Sequence, residues 1–223
     1  MIGILLSIFI FLGSTISVTA TPKIVFRHTK CDGRKRIALT FDDGPHPRYT
    51  PQILDILKKY GVHATFFAIG MNADTYGDLI KREIEEGHEI GNHTYHHYHT
   101  KDIEANILIA DILACSKALE GKTGITPRLF RPPEGVCTDE IKALCEDLGY
   151  TIVMWSIDTR DWAHTPIDKI ISNIQKNACD GAIILMHDFT GKNSPTPAVL
   201  RQIIPILQRS GYEFVTVSEL LAS

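Results

Sequence analysis

The chain has no long basic run. Its 23 lysines and arginines are spread among 26 aspartates and glutamates, for a formal net charge of -3. That balance offers phosphate backbones little attraction, so nucleic acid is not an expected partner. Nor is there a cysteine framework. Cys31, Cys115, Cys137, Cys145 and Cys179 form no tight pair and none of the spacings that hold structural zinc. An odd count in an exported chain leaves at least one thiol free, and most of the five read as small buried hydrophobes. No internal repeat or low-complexity linker divides the 223 residues, a length that suits one mid-sized domain with a sizeable core.

Charge is also absent from the amino-terminal stretch, where the first charged side chain is Lys23. The almost wholly apolar core, Ile2 to Leu12, falls short of the roughly 20 residues a bilayer span needs, and Val18-Thr19-Ala20 offers small residues to a signal peptidase. The expected organisation is a signal peptide over residues 1–20, a lead-in over 21–34 and one domain over 35–223. An uncleaved anchor that uses the whole stretch is the alternative, and the only route to a membrane. Either way the rest is exported, to the cell envelope or beyond, and a monomer is expected.

Past residue 35 two signals alternate. Short apolar runs rich in β-branched and aromatic residues occur at 36–41, 64–70, 88–92, 128–131, 151–155, 182–186 and 213–216, and each reads as a strand. Between them lie stretches of helical period at 50–60, 73–86, 102–120, 138–148, 165–177 and 196–210, with a short last helix at 217–222. Thr50 reads as the first N-cap, and Gly87, Gly121, Gly149 and Gly211 end four of these stretches. Seven strands separated by helices is the pattern of parallel βα units, either a barrel or an open doubly wound sheet.

The chemistry-bearing residues cluster just after the strands: Asp42 and Asp43 after the first, His93 after the third, Arg131 at the end of the fourth, Asp158 and Asp161 after the fifth, His187 and Asp188 after the sixth. In parallel α/β folds the carboxyl ends of the strands share the face where active sites are built. Taken singly the blocks are ordinary. TFDDGP (40–45) is a turn sequence, FRPPEG (130–135) a rigid strand exit, DTRDW (158–162) an acidic loop and LMHD (185–188) a strand end. HTYHH (93–97) is more pointed, because histidines four apart on one helical turn can meet one metal. The HExxH protease helix is excluded, since Thr94 and Tyr95 occupy its inner positions.

Together, in this order and spacing, the five blocks resemble the polysaccharide deacetylases of the NodB-homology domain, carbohydrate esterase family 4. The resemblance runs over roughly residues 33–220. It implies a distorted (β/α)7 barrel, a divalent metal that is most often Zn²⁺, with Co²⁺ or Ni²⁺ as alternatives, and hydrolysis of N-acetyl groups on an amino-sugar glycan such as peptidoglycan or a chitin-like polymer.

By matching motif, Asp43, His93 and His97 resemble the metal ligands and Asp42 the catalytic base, oriented by Arg131. His187 resembles the general acid, held charged by Asp161. The backbone N–H of Glu134 would serve the oxyanion, with Trp162 and Leu185 as groove walls. One departure stands out: Glu134 occupies a position where the family often has Tyr, so an aromatic wall becomes a carboxylate. Two alternatives share the resemblance, an acetyl esterase on xylan-type glycan and a catalytically inactive glycan-binding module.

Overall fold

The computed structural model describes residues 23–29, 33–99 and 103–222; the expected signal segment and Cys31 lie outside them. The strands are β1 (Ile24–Val25), β2 (Lys35–Asp42), β3 (Thr65–Ala68), β4 (Glu89–Asn92), β5 (Leu129–Phe130), β6 (Thr151–Val153), β7 (Ile157–Asp158), β8 (Ala182–His187) and β9 (Tyr212–Phe214). The helices are α1 (Thr50–Tyr60), α2 (Gly70–Thr75), α3 (Gly77–Glu85), α4 (Ala105–Thr123), α5 (Asp139–Asp147), α6 (Ile167–Asn177), α7 (Thr196–Arg209) and α8 (Val217–Leu221).

The ladders between these strands are all parallel, in the order β1-β6-β5-β4-β3-β2-β8-β7. Ile37 pairs with Ala182 of β8 and also with Phe214, so β9 lies along the amino half of β2 on its other edge. The chain runs from β6 straight into β7 through Met154-Trp155-Ser156, although β7 pairs with β8 and β6 with β5. The sheet therefore curls around until one bent strand serves both ends, which makes the barrel distorted. The expected seven strands become nine because this strand is broken in two and because β1, in the lead-in, adds to the free edge of β6.

The two-residue period of a strand sorts β2 cleanly. Ile37, Leu39 and Phe41 point out into the layer shared with Ile53, Leu57, Val199, Leu200 and Ile203 of α1 and α7. Ala38 points into the barrel, where it packs with Phe67, Leu129, Val153 and Ile183. Val217 and Leu220 of α8 join that inner cluster, and the Val217 and Ser218 N–H groups bond Thr65 and Glu89 at the amino ends of β3 and β4. The helix plugs the lower pole, so the next inward residues of β2, Thr40 and Asp42, face the open upper pole.

Three local expectations are corrected. The helix expected over 73–86 is two, because Tyr76 leaves helical geometry (φ -121°, ψ 42°) between α2 and α3. The fourth helix continues past Gly121 and is closed by Gly124 in the left-handed region. Thr50 is not an N-cap: it is already helical, and its hydroxyl hydrogen-bonds the Asp188 carboxylate.

Candidate metal centre and active site

Asp42 and Asp43 sit at the carboxyl end of β2, and the chain reverses at once because Asp43 adopts φ 71°. His93 and His97 come from the turn after β4. They are not on a helical turn, as their spacing suggested: Thr94 and His97 both have positive φ, and the turn is built from side-chain hydrogen bonds instead. The Thr94 N–H donates to Asn92 Oδ1, the His97 N–H to Thr94 Oγ1, and the Tyr95 and His96 N–H groups to one oxygen of Asp111 on α4. This still brings the two rings to a centroid separation of 5.0 Å.

Asp43 Oδ1 lies 3.5 Å from His93 Nε2 and 3.3 Å from His97 Nε2, and one ligand atom from each of the three residues lies within 4.8 Å of the others. The set suits a cation. Asp43 Oδ1 is buried without a hydrogen-bond partner. His93 Nδ1 sits 2.7 Å from the Arg131 carbonyl, which fixes its proton there and turns the Nε2 lone pair toward Asp43. Burial disfavours charge on Asp43, but the surrounding imidazoles, His93 first, outweigh it and bring its pKa down to about 2. Burial likewise opposes a charged His93, yet Asp42 and Asp43 raise its pKa, so the place attracts positive charge.

Beside this trio, Arg131 is wholly buried, and four of its five N–H donors make hydrogen bonds. Nη1 donates to Asp42 Oδ1 at 2.7 Å and to Thr40 Oγ1 at 2.8 Å, while Nε and Nη2 donate to the carbonyls of Val153 and Met154, each at 3.0 Å. The guanidinium lies over Phe67, 4.2 Å from the ring centroid. Asp42 Oδ1 is thereby occupied, and Oδ2 is left 3.8 Å from His93 Nε2.

Across the cleft, His187 Nδ1 sits 2.8 Å from Asp161 Oδ1. Asp161 is itself buried, and its oxygens accept from the backbone N–H groups of His187 and Trp162 and from the Thr196 hydroxyl. Burial works against a charged His187, but Asp161, followed by Asp42 and Asp43, overcomes this and raises its pKa to about 9.

The cleft between these groups has a volume of about 400 Å³, and Asp42, Asp43, His93, His97, Glu134, Leu185, Trp162 and His187 all line it. Every site residue expected from the sequence thus meets at one pole. Trp162 is half exposed and Leu185 nearly buried. Glu134 has φ 57° in the short turn Pro133–Gly135, and its carboxylate is 2.7 Å from His99 Nδ1, bridging to the loop that carries His97. Asp158, named from the sequence among the groups on this face, also lines the cleft, while sequence reasoning missed Trp155 and Gly135 as lining residues. Trp155 was read as the end of the strand expected over 151–155, whereas β6 stops at Val153 and Trp155 lies in the bend to β7.

A curled parallel sheet with a carboxylate and two imidazoles at its upper pole, flanked by an Arg-held carboxylate and an Asp-held imidazole, defines a metal-dependent hydrolase. The comparisons agree with that class: residues 29–153 match the family described as polysaccharide deacetylase, and the chain belongs to it.

A peptidoglycan-N-acetylglucosamine deacetylase of Bacillus cereus is 45% identical over 192 residues, covering 85% of this chain and 90% of that protein. The peptidoglycan-N-acetylglucosamine deacetylase PgdA of Listeria monocytogenes is 39% identical over 210 residues, 94% of this chain but 42% of its own length. Among solved structures, the Bc1960 peptidoglycan N-acetylglucosamine deacetylase in complex with 4-naphthalen-1-yl-N-oxidanyl-benzamide superposes with a TM-score of 0.85 at 34% identity, covering 90% of this chain and 93% of that one.

Proposed function

We propose that the protein hydrolyses N-acetyl groups on the amino sugars of an envelope glycan, peptidoglycan N-acetylglucosamine first among them, and releases acetate. The observation that carries this is the placement of two differently held proton carriers on either side of one metal-ligand set. A divalent cation held by Asp43, His93 and His97, Zn²⁺ before Co²⁺ or Ni²⁺, supplies Lewis acidity to the site when bound.

The chain's own groups then divide the proton work. Arg131 holds Asp42 by Oδ1, so Oδ2 is the atom that accepts the proton of the attacking water. The Gly135 and Val136 N–H groups bond back to Pro132 and Pro133, which leaves the Glu134 N–H, on the cleft wall, as the donor to the oxyanion. Asp161 occupies His187 Nδ1, so the proton on Nε2 is the one delivered to the leaving nitrogen. An amine leaves poorly as an anion, so this proton is required. Trp162 and Leu185 bound the space for the sugar ring and the acetyl methyl. All of these groups lie in one polypeptide, which supports action as a monomer, and a signal or anchor over residues 1–20 fits work in the envelope.

Acetate release from chitooligosaccharides, peptidoglycan and acetylxylan is the direct test. Turnover is expected on the N-acetylated polymers, abolished by a strong chelator and restored by Zn²⁺ or Co²⁺. Release from acetylxylan alone would reassign the enzyme to ester hydrolysis, and release from none would make it a binding module.

A further inference from the structure

Two aromatic surfaces stand on either side of β8, the strand that ends at His187; the first lines the cleft and the second lies beyond its lining residues. One is Trp162, expected from its motif. The other is a pair that no motif marks: His46, three residues past Asp43, and Phe189, two past His187. Their rings stack with centroids 4.2 Å apart and planes within 2° of parallel. They stand above the junction of the neighbouring strands β2 and β8, where Asp42 and His187 are register partners, while Trp162 follows β7 on the far edge of β8.

The pair is held rigidly from below. Asp188 is wholly buried against Gly44, whose added Cβ would collide with its carboxylate, so the turns after β2 and β8 are locked together. The Arg48 N–H donates to His46 Nδ1 at 3.2 Å, which fixes the ring's rotation, and the His46 N–H donates to Thr50 Oγ1 at 2.7 Å. Burial and the nearby Arg48 lower the His46 pKa. The Tyr49 hydroxyl donates to the Lys192 carbonyl and accepts from the Ser194 N–H, pinning the loop that carries Phe189. Phe189 nevertheless remains 40% exposed.

A flat, preorganised ring pair next to the strand ends of a deacetylase cleft, with Phe189 partly open to solvent, has as its complement the apolar C–H face of a pyranose. We infer that the His46–Phe189 stack is a second carbohydrate subsite, which seats the sugar next to the reacting one on the side of His187 away from Trp162. This rests on the proposed deacetylase reading. The consequence is a preference for chain length: a short oligomer fills only the cleft, and a longer one also reaches the platform.

The test measures acetate release by wild type, Phe189→Ala and Phe189→Tyr on chitooligosaccharides of increasing length, from the disaccharide to the hexasaccharide. Loss of one stacking contact is expected to raise KM for the longer oligomers about three- to tenfold, with kcat unchanged and the disaccharide unaffected. Phe189→Tyr, which keeps the ring, should restore the wild-type KM. A KM shift equal at every length, or none at any length while wild type remains active, would overturn the subsite. If wild type releases no acetate from any oligomer, the deacetylase reading itself fails and the subsite with it. A thermal midpoint for Phe189→Ala matching wild type keeps a folding defect from imitating either result.

Discussion

Arg131 shows how much a single buried side chain can organise. Its guanidinium holds the proposed base and ties β2 to β6, while its carbonyl sets the tautomer of a proposed metal ligand. An arginine so buried is tolerable only with most of its donors satisfied and its charge paired, and four hydrogen bonds, one of them to the Asp42 carboxylate, meet that condition. The Asp161–His187 pair is the counterpart across the cleft. Removing the proposed acid in His187→Ala should lower kcat about 10²- to 10⁴-fold, read as acetate release. Asp161→Asn makes a subtler prediction. As the proposed acid His187 would work protonated, and Asp161, against the histidine's own burial, raises its pKa to about 9. Activity should therefore fall as pH rises toward that value in wild type, and this basic limb should move to lower pH in the variant. A pH profile of kcat with an unmoved limb would remove Asp161 from the role.

At the scale of elements, the site depends on turns that the strand pattern does not describe. Asp43, His97 and Glu134 line the cleft and all have positive φ without being glycine, a cost of order 1–3 kcal/mol each that persists where the surroundings fix the backbone. Gly44, by contrast, is glycine because of contact. Gly44→Ala would drive a methyl into the Asp188 carboxylate, displace the turn bearing Asp42 and Asp43, and cost about 1–3 kcal/mol of stability together with most of the activity. Thermal unfolding and acetate release on the same sample check both effects.

These elements also show what was legible. Runs such as RIALTF and AIILM announce buried parallel strands, because both faces are covered. The two-residue strands β1 and β7 carry too few positions for any period to register. The His93–His97 spacing suggested the right partners for the wrong local reason: the fold uses a side-chain-bonded turn where the spacing suggested a helix. The Glu134–His99 bridge was out of reach, since it joins residues 35 apart through geometry that no local pattern encodes.

At the scale of the whole molecule, one buried acid among the described residues stands apart for having no partner. Glu83 of α3 is 1% exposed, and neither carboxylate oxygen finds a hydrogen-bond partner among the described residues. Burial, then Asp188, raises its pKa well above the ordinary value. A carboxyl raised in the folded state contributes fully below its unfolded pKa, near 4.5, and its contribution is lost as pH rises through the folded value. Glu83→Met, similar in length and free of charge, should gain about 1–3 kcal/mol at neutral pH and flatten that loss. Thermal midpoints of both proteins from acidic to mildly basic pH give the comparison, and an unchanged slope would refute it.

The parallel ladders also decide which way the barrel faces. Lys23 leads into β1, which runs parallel to β6, and Val25 packs with Val217 and Leu220 of α8, so Lys23 lies toward the pole that α8 plugs. Were residues 1–22 kept as a tether, the chain would join the domain at the pole opposite the reactive groups, separated from them by roughly 25 Å, the rise of an eight-residue strand such as β2. Such an enzyme would trim the layer of wall at that height and leave untouched any strand lying flat against the bilayer, whereas a freed copy would have no such horizon.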